Sequence, residues 1–270
     1  MKASEILDHF RKVGTWVTWN GRESDKFLFG DPDSEVKGIA VSWMATKPNL
    51  LLARSRGCNV FITHEPLYVG IANQFGVYSA GGILLEEDDA WVAKAQWLEK
   101  ENMVVLRCHD TWDDFPGIGI HGAWARWLGF TGKPLVQVKF YEVHGIGFGT
   151  FGALCEHVQR QVRALGQDAV LAIGDPAKKV SKVAIGTGAI TNYRLMHGLG
   201  ADVLVLTDDG TRLWESAQWA EDTGVPVIIV NHATAEEPGM RELGKYLQST
   251  FPEVPVHVIE RGCLYRAITK

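Results

Sequence analysis

The sequence lacks the features that mark several large classes of protein. Its formal net charge is −5, and no stretch is basic enough to serve as a nucleic-acid-binding surface. No apolar run approaches the length of a membrane span, and acidic residues stand near the start, where a secretion signal would be apolar. We therefore expect a cytoplasmic protein that has neither a membrane nor a nucleic acid as its partner.

The chain is also poor in cysteine. It has four cysteines in 270 residues, and no two of them form the C-x-x-C pair of a zinc ribbon. These thiols are expected to be reduced and mostly buried, as in other cytoplasmic proteins. No Walker-type Gly-Lys-Ser/Thr segment is present, so a P-loop for nucleotide phosphates is not expected.

What the sequence does contain is an internal repeat in a composition, 46% hydrophobic and 22% charged, that is typical of folded domains. When the sequence is shifted by 144 positions, eight of the 36 residues from 30 to 65 are identical to their counterparts. The identical residues are Gly30, Asp31, Pro32, Val36, Ala40, Ala45, Leu51 and Thr63. Chance would give about two identities, so we interpret the pattern as a diverged duplication.

Hydrophobic periodicity predicts the same order of elements in both halves. The first half is predicted to have strands at 36–41, 60–63 and 103–106 and helices at 46–56, 90–101 and 119–128. The second half is predicted to have strands at 183–185, 203–207 and 227–230 and helices at 192–199, 212–222 and 239–249. This alternation predicts an α/β fold of two similar lobes, residues 1–140 and 141–270, with mixed sheets covered by helices. The first lobe carries an extra loop at 66–89.

Two short motifs of the form H-x-T-x-acid follow predicted strands, one in each half. They run from His109 to Asp113 and from His232 to Glu236. Thr63-His64-Glu65-Pro66 follows another strand of the first half, and Thr207-Asp208-Asp209 is its counterpart in the second. Strand ends in α/β sheets are where ligands bind. A histidine and a carboxylate that occur at equivalent places in a repeat indicate one paired metal site.

The charges of these residues are suited to two divalent metal ions. Two such ions carry a charge of +4, and the carboxylates of Glu65, Asp113 and Glu236 would balance three of these charges, while His64 and His232 add neutral nitrogen ligands. Mixed imidazole and carboxylate ligands suit zinc, manganese or iron equally well. Taken one at a time, the same segments could instead be a hydrogen-bonded strand end, an Asx turn or a helix N-cap.

The motifs together resemble those of a known family, the Nif-three-like dinuclear metal-centre hexameric proteins, often labelled GTP cyclohydrolase type-two homologues. The resemblance covers nearly the whole chain. It rests on five segments: Trp19-Asn20 with Phe29-Gly30-Asp31, the segment from Phe61 to Leu67, the two H-x-T-x-acid motifs, and Gly186-Thr187-Gly188-Ala189 with the strand after it.

The resemblance implies two α/β lobes that face each other across a two-metal site, in a protein that assembles as a homohexamer. It implies metal ligands at His64, Asp113, His232 and Glu236, and at position 65, where the family usually has a second histidine and this chain has Glu65. It places His109 outside the ligand set, as a residue that orients Asp113 or carries a proton, although His109 could also replace the missing histidine. Asp208 and Asp209 are a further departure from the family's pattern.

Two functions follow from this interpretation. The first is a metal-dependent hydrolase of the cyclohydrolase kind, in which a metal-activated bridging water attacks a carbonyl, amidine or phosphoryl group of a small-molecule substrate. The cyclohydrolase label of the family suggests a purine nucleotide, and Gly186-Thr187-Gly188-Ala189 could bind its phosphate or could simply be a tight turn. The second is a non-catalytic metal-binding or partner-binding adaptor ring.

Overall fold

The computed structural model describes residues 1–68 and 88–268. These residues form two compact units: Met1–Phe115 with Leu243–Glu260 (unit 1), and Pro116–Glu242 with Arg261–Lys270 (unit 2). This division differs from the predicted lobes 1–140 and 141–270, and hydrophobic packing and strand pairing explain the difference. The helix that begins at Ile120 packs into the core of unit 2, and the chain returns to unit 1 to pair one last strand.

The elements of the described chain run in the following order. They are α1 (Ala3–Val13), β1 (Lys26–Phe29), β2 (Ile39–Ser42), α2 (Lys47–Ser55), β3 (Val60–Thr63), α3 (Asp89–Lys100), β4 (Val104–Arg107), α4 (Asp110–Asp113), α5 (Ile120–Trp127), β5 (Val136–Gln137), β6 (Tyr141–Thr150), α6 (Phe151–Arg163), β7 (Leu171–Ile173), β8 (Lys179–Gly186), α7 (Tyr193–Gly198), β9 (Val203–Thr207), a π-helical turn (Leu213–Ala217), α8 (Gln218–Thr223), β10 (Val227–Val230), α9 (His232–Thr250) and β11 (Val256–Val258). Within the described residues, no helix is both long and apolar enough to cross a membrane.

Unit 1 contains a five-stranded mixed sheet in the order β1-β4-β3-β2-β11. The strands β4, β3, β2 and β11 are parallel, and β1 joins the edge antiparallel to β4. Every residue of β2, β3 and β4 is buried, which is why these strands read as continuous apolar runs rather than as alternating ones. The parallel pairing brings the carboxyl ends of β3 and β4 to the same edge of the sheet.

The helix that connects β2 to β3 begins where its sequence contains helix-start signals. The Thr46 hydroxyl accepts a hydrogen bond from the Asn49 backbone N–H, and Pro48 occupies the first turn, where its missing N–H costs nothing. The buried Asn49 amide then donates to Ser42 Oγ and to the Met44 carbonyl. These bonds fix the turn from β2 into α2.

Unit 2 contains a six-stranded mixed sheet in the order β5-β6-β8-β9-β10-β7. Here β8, β9 and β10 are parallel, while β6 and β7 pair antiparallel to β8 and β10. Alternate residues of the parallel strands belong to two different apolar clusters, because successive side chains of a strand point to opposite faces. The α6 side chains pack into one cluster, and Met196 of α7 and Ala220 of α8 pack into the other.

The two units repeat one topology, as the predicted duplication requires. Unit 1 runs α1-β1-β2-α2-β3-α3-β4, and α6-β7-β8-α7-β9-α8-β10 of unit 2 has the same order. The strand orders β1-β4-β3-β2 and β7-β10-β9-β8 also correspond, with the same parallel and antiparallel neighbours. The predicted fold class, mixed α/β with two sheets covered by helices, is therefore confirmed. The extra loop predicted at 66–89 lies largely outside the described residues.

The strand registers give residue-level equivalences. Thr63 pairs with Arg107 in unit 1, and Thr207 pairs with Val230 in unit 2, so Arg107 and Val230 occupy equivalent positions. The ungapped shift of 144 does not extend through the whole sheet, because Ile39 pairs with Val60 whereas Val183 pairs with Val203. The number of residues between these paired positions is therefore one smaller in unit 2 than in unit 1.

The last helix starts earlier than predicted. The expected start at Gly239 was wrong: α9 begins at His232 and continues through Pro238. A Pro-Gly pair is a strong helix-breaking signal, but here the proline lies inside the helix, only two turns from its start. The H-x-T-x-acid motif of unit 2 therefore lies on the first turns of a long helix.

Candidate metal centre

In unit 1 the candidate ligands come from two neighbouring parallel strands. His64 and Glu65 follow β3 directly, and His109 and Asp113 follow β4. Asp113 is the last residue of the one-turn helix α4. Because β3 and β4 are parallel and in register, the residues that follow them emerge at the same edge. The four side chains that the sequence singled out in this half are thereby brought together.

The distances among these four residues are short enough for a shared ligand. His64, Glu65 and His109 each offer an atom that lies within 4.8 Å of the others, which is the spacing of a group that could hold a metal ion. Asp113 Oδ1 lies 3.3 Å from His64 Nε2, and Asp113 Oδ2 lies 3.2 Å from His109 Nδ1. The two imidazole rings are stacked, with centroids 4.4 Å apart.

His64 has a fixed orientation that suits a metal ligand. Its side chain is fully buried, and its Nδ1 lies 3.0 Å from the Cys108 carbonyl. A carbonyl can only accept, so Nδ1 carries the proton and donates. The other ring nitrogen, Nε2, lies on the side of Asp113, which is the arrangement of a histidine ligand oriented by a backbone carbonyl.

The loop that carries His109 is held by Asp25, a residue that the sequence reasoning missed. Asp25 is fully buried, and its carboxylate accepts hydrogen bonds from the His109 N–H, the Thr111 N–H and the Thr111 hydroxyl. Burial raises the pKa of Asp25, and these hydrogen bonds partly offset the rise. Asp25 lies 84 residues before His109 in the sequence, and no motif marks it.

Asp110 fixes the ring of His109. Its Oδ1 lies 3.0 Å from His109 Nδ1, and its Oδ2 accepts a hydrogen bond from the Ser24 N–H. Burial acts to raise the pKa of Asp110, but the bonds from His109 and Ser24 outweigh it and lower the pKa to about 2. These contacts make Asp110 a partner of His109.

A buried arginine completes this half of the site. Arg107 ends β4 with 1% of its surface exposed. Its Nε donates to the His64 carbonyl at 2.8 Å, and its Nη2 lies 3.4 Å from Glu65 Oε2. Desolvation lowers the pKa of Arg107, whereas Glu65 and nearby aspartates raise it, and a guanidinium stays charged in proteins. The sequence reasoning assigned no role to Arg107.

In unit 2 the candidate ligands lie on α9. His232 and Glu236 are one turn apart, and His232 Nε2 lies 3.0 Å from Glu236 Oε1. Both side chains are buried, with exposed fractions of 8% and 3%. The helix starts at His232, so the four-residue spacing of the motif puts both residues on one face.

Two aspartates after β9 hold His232 in place. Asp208 accepts hydrogen bonds from the His232 N–H and from the Asn231 amide, each at 2.8 Å, so it caps the start of α9. Asp209 Oδ2 lies 2.9 Å from His232 Nδ1, and this hydrogen bond lowers the pKa of Asp209. Asp209 therefore orients the imidazole, with its Nε2 on the side of Glu236.

The glycine-rich turn of unit 2 lies beside these ligands. Gly188 has a φ of +76°, and a Cβ added there would lie 3.5 Å from Glu236 Oε1 and 3.6 Å from His232 Nε2. The Thr207 hydroxyl donates to the Gly188 carbonyl, which ties the turn to the end of β9. The close approach of backbone to both candidate ligands is a reason for glycine at this position.

The donor set fits a divalent metal ion. Each unit offers imidazole nitrogen and carboxylate oxygen within a few ångströms, the ligand types shared by zinc, manganese and iron sites. The neighbouring thiol of Cys108 is fully buried, and burial raises its pKa well above the usual value. The clustered donors of unit 1 are the nitrogen and oxygen atoms of His64, Glu65 and His109.

The fold and these residues define an α/β protein with a candidate His/Glu metal-binding group, and comparison with known families gives the more specific identification. Residues 1–262 match the Duf34/NIF3 (NGG1p interacting factor 3) family. The chain belongs to this family, which confirms the resemblance drawn from the motifs. No curated protein matches the sequence.

Several solved structures share the fold. A Bacillus cereus protein related to NIF3 superimposes with a TM-score of 0.78 at 15% identity, over 99% of both chains. The Staphylococcus aureus protein SA1388 gives 0.77 at 18% identity, also over 99% of both chains. Reduced HcgD from Methanocaldococcus jannaschii gives 0.69 at 20% identity, over 97% of this chain and 98% of that one.

Proposed function

We propose that this protein binds two divalent metal ions and uses them to hydrolyse a small molecule. The observation that carries the proposal is the cluster in unit 1, where His64, Glu65 and His109 offer ligand atoms within 4.8 Å of one another and Asp113 contacts both histidines. Imidazole and carboxylate groups that converge at the ends of sheet strands are typical of a metal site.

The proposed ligands are His64, Glu65 and Asp113 from unit 1 and His232 and Glu236 from unit 2. The topological repeat supports a joint role, because His109 to Asp113 follows β4 and His232 to Glu236 follows the equivalent strand β10. In both units a histidine nitrogen and a carboxylate oxygen four residues apart lie within 3.2 Å of each other. One dinuclear centre built from both motifs accounts for their retention in the two halves.

Divalent ions bound there would polarise a substrate oxygen and lower the pKa of a bridging water. The surrounding residues of this chain hold the ligands and handle protons. His109 is the proposed proton carrier, because its Nδ1 lies 3.0 Å from Asp110 and 3.2 Å from Asp113. Asp110 has a pKa of about 2, so it remains ionised at neutral pH and orients the imidazole through Nδ1.

The decisive experiment measures metal content and turnover on the same preparations. Protein incubated with zinc, manganese or iron is analysed for bound metal and then assayed on nucleotides, cyclic amides and esters. Asp113→Ala is expected to lose metal and turnover together, because Asp113 contacts both His64 and His109. Asp8→Ala, in which an exposed carboxylate is removed from α1, is the matched control and is expected to lose neither.

The possible outcomes separate the two functions. Metal binding without turnover of any substrate would favour the non-catalytic alternative, a metal-binding or adaptor protein. Absence of bound metal under excess zinc, manganese and iron would contradict both. His109→Asn is expected to keep the metal and lose turnover. If it loses the metal instead, His109 is a ligand rather than a proton carrier.

We also propose that the chain self-associates, as a hexamer. The support is a set of large apolar side chains that unit 2 leaves exposed: Leu195 at 61%, Leu213 at 73% and Trp214 at 72%. Exposed apolar residues of this size are common at subunit interfaces. Sedimentation equilibrium should give six chains per particle, and Trp214→Glu should lower the mass; a wild-type monomer would refute the proposal.

A further inference from the structure

Arg107 is an unusual residue for its position. Among the residues that the structure describes, it is the only lysine or arginine in the buried class. The equivalent residue of unit 2, opposite Thr207 in the same strand register, is Val230, which is also buried. The repeated fold thus accepts an apolar side chain there. Burying a cation is costly unless it is paired, so the fold alone does not explain the arginine.

The environment of Arg107 in unit 1 is strongly acidic. Glu65 contacts the guanidinium at 3.4 Å, and the negative charges of Asp25, Asp110 and Asp113 also act on it. Asp25 is fully buried, and the Glu65 and Asp113 side chains are only 18% and 19% exposed. Carboxylates this close together repel one another. Because water has little access to them, this repulsion is only weakly screened.

The guanidinium is held in a fixed position. Its Nε donates to the His64 carbonyl at 2.8 Å, so the side chain is tied to the same segment that carries both proposed ligands of β3. Its Nη2 donates a hydrogen bond to Glu65 Oε2 at 3.4 Å. The arginine therefore orients the Glu65 carboxylate and engages one of its two oxygens.

We propose that Arg107 is a permanent counter-cation of the unit 1 ligand cluster, which stabilises the cluster without metal and weakens its hold on a divalent ion. The weakening has two sources: the positive charge opposes a second cation, and Glu65 shares one oxygen with the guanidinium. The effect on metal affinity rests on the proposed function, whereas the effect on the metal-free protein does not. Arg107 is thus a positioning residue that sets how readily this half of the centre exchanges metal.

The sign of the effect follows from charge. Removing Arg107 leaves Glu65 less well oriented, and loss of such orienting contacts typically costs about tenfold to a hundredfold in metal affinity. Removal also ends the repulsion between a full charge and a doubly charged ion, which in a poorly solvated site is the larger contribution. Arg107→Met is therefore expected to bind zinc at least about tenfold more tightly than the wild type.

Two variants separate charge from geometry. Arg107→Met has a similar length and no charge, whereas Arg107→Lys keeps the charge and loses the planar fork. Zinc affinity, measured by competition with a chelator, should rise for Arg107→Met and should not rise for Arg107→Lys. Unchanged or weaker zinc binding by Arg107→Met would overturn the proposal.

The metal-free protein gives an independent test. In chelator, Arg107→Met should melt well below the wild type, and saturating zinc should restore most of the difference. The matched control is Arg54→Met, which breaks the Arg54–Glu101 pair whose side chains are 44% and 26% exposed and should change the melting temperature little. Equal melting temperatures of the two variants in chelator would refute the counter-cation role.

Two further results keep the proposal and the proposed function distinguishable. If wild-type protein binds no zinc, the proposed function fails, and the melting comparison in chelator still decides whether Arg107 is a counter-cation. If Arg107→Met does not fold, Glu65→Gln and Glu236→Gln replace it. Each removes one carboxylate ligand, but only Glu65→Gln removes the carboxylate that contacts Arg107 and so leaves the guanidinium charge less balanced, so it should weaken zinc binding more. Equal losses in the two variants would overturn the proposal.

Discussion

Asp25 provides the strongest prediction about stability. Its buried carboxylate is the acceptor for two backbone N–H groups and one hydroxyl of the segment from His109 to Thr111. Asp25→Ala removes all three acceptor contacts at once. The Thr111 amide, which is buried, and the His109 amide, which is partly buried, would then lose their acceptor.

The magnitude follows from what is left unsatisfied. A buried donor without a partner costs about 1–3 kcal/mol, and two amides lose theirs, so Asp25→Ala should destabilise the protein by about 2–6 kcal/mol. The hydroxyl of Thr111 can rotate toward another acceptor, so we assign it no further cost. Because His109 N and Thr111 N belong to the turn that positions Asp113, the variant should also lose metal affinity.

Asp25→Asn separates the charge from the shape. Asparagine keeps one acceptor oxygen, but its NH₂ faces an N–H, so it should destabilise the protein less than alanine does. Burial raises the pKa of Asp25, so the folded state holds the proton more tightly than the unfolded state. The stability that this shift adds is fully present below the usual pKa and is lost as pH rises through the folded value. The advantage of wild type over Asp25→Asn should therefore be larger at pH 4 than at pH 7.

Urea denaturation at both pH values, followed by far-UV circular dichroism, measures these differences. The matched control is Asp33→Ala, which removes an exposed carboxylate that contacts Lys2 and should cost under about 1 kcal/mol. A loss for Asp25→Ala no larger than that of the control would refute the reasoning. So would an advantage over Asp25→Asn that grows between pH 4 and pH 7.

Three further predictions follow from single positions. The pKa of Asp110 is lowered to about 2. Its contribution to stability is therefore present at neutral pH and is lost as pH falls from about 4 to about 2. Acid titration of the wild type and of Asp110→Asn should give unfolding curves that converge at the acid end. Gly188→Ala forces a side chain to φ +76°, which should cost about 1–2 kcal/mol, and should weaken zinc binding because the new methyl lies beside His232 and Glu236; a chelator competition checks the second effect. Phe61→Ala should cost about 3–5 kcal/mol in urea, because Phe61 is fully buried in the unit 1 core and the cavity cannot fully collapse.

Much of the fold was predictable because the buried parallel strands are short apolar runs with clear ends. The predicted strands at 60–63, 203–207 and 227–230 coincide with β3, β9 and β10. The β11 strand was not predictable, because Val256–Val258 has only three residues and its place in the sheet is set by pairing with β2, more than 200 residues earlier. The start of α9 was mispredicted because local propensity at Pro238 and Gly239 is overridden by packing.

The candidate site likewise has residues that could be predicted from the sequence and residues that could not. His64, Glu65, His109 and Asp113 could be grouped from sequence because they follow strands that are parallel neighbours. Asp25 and Arg107 could not be grouped with them, since a lone aspartate in a loop and a lone arginine at a strand end carry no motif. Their roles arise only when the sheet places them against the ligand segment.

A single position in the repeat accounts for much of the asymmetry between the halves. By strand register, His64 of unit 1 is equivalent to Asp208 of unit 2. In unit 2 that position supplies the carboxylate that accepts a hydrogen bond from the His232 N–H. In unit 1 it supplies an imidazole instead. The equivalent N–H, that of His109, therefore needs another acceptor, and Asp25 provides it from the segment before β1.

The next position of the repeat also differs between the units. Asp209 of unit 2 orients His232, whereas Glu65 of unit 1 contacts Arg107. Unit 1 thus has a second histidine at this position, and the carboxylate that follows it contacts the buried Arg107 instead of an imidazole.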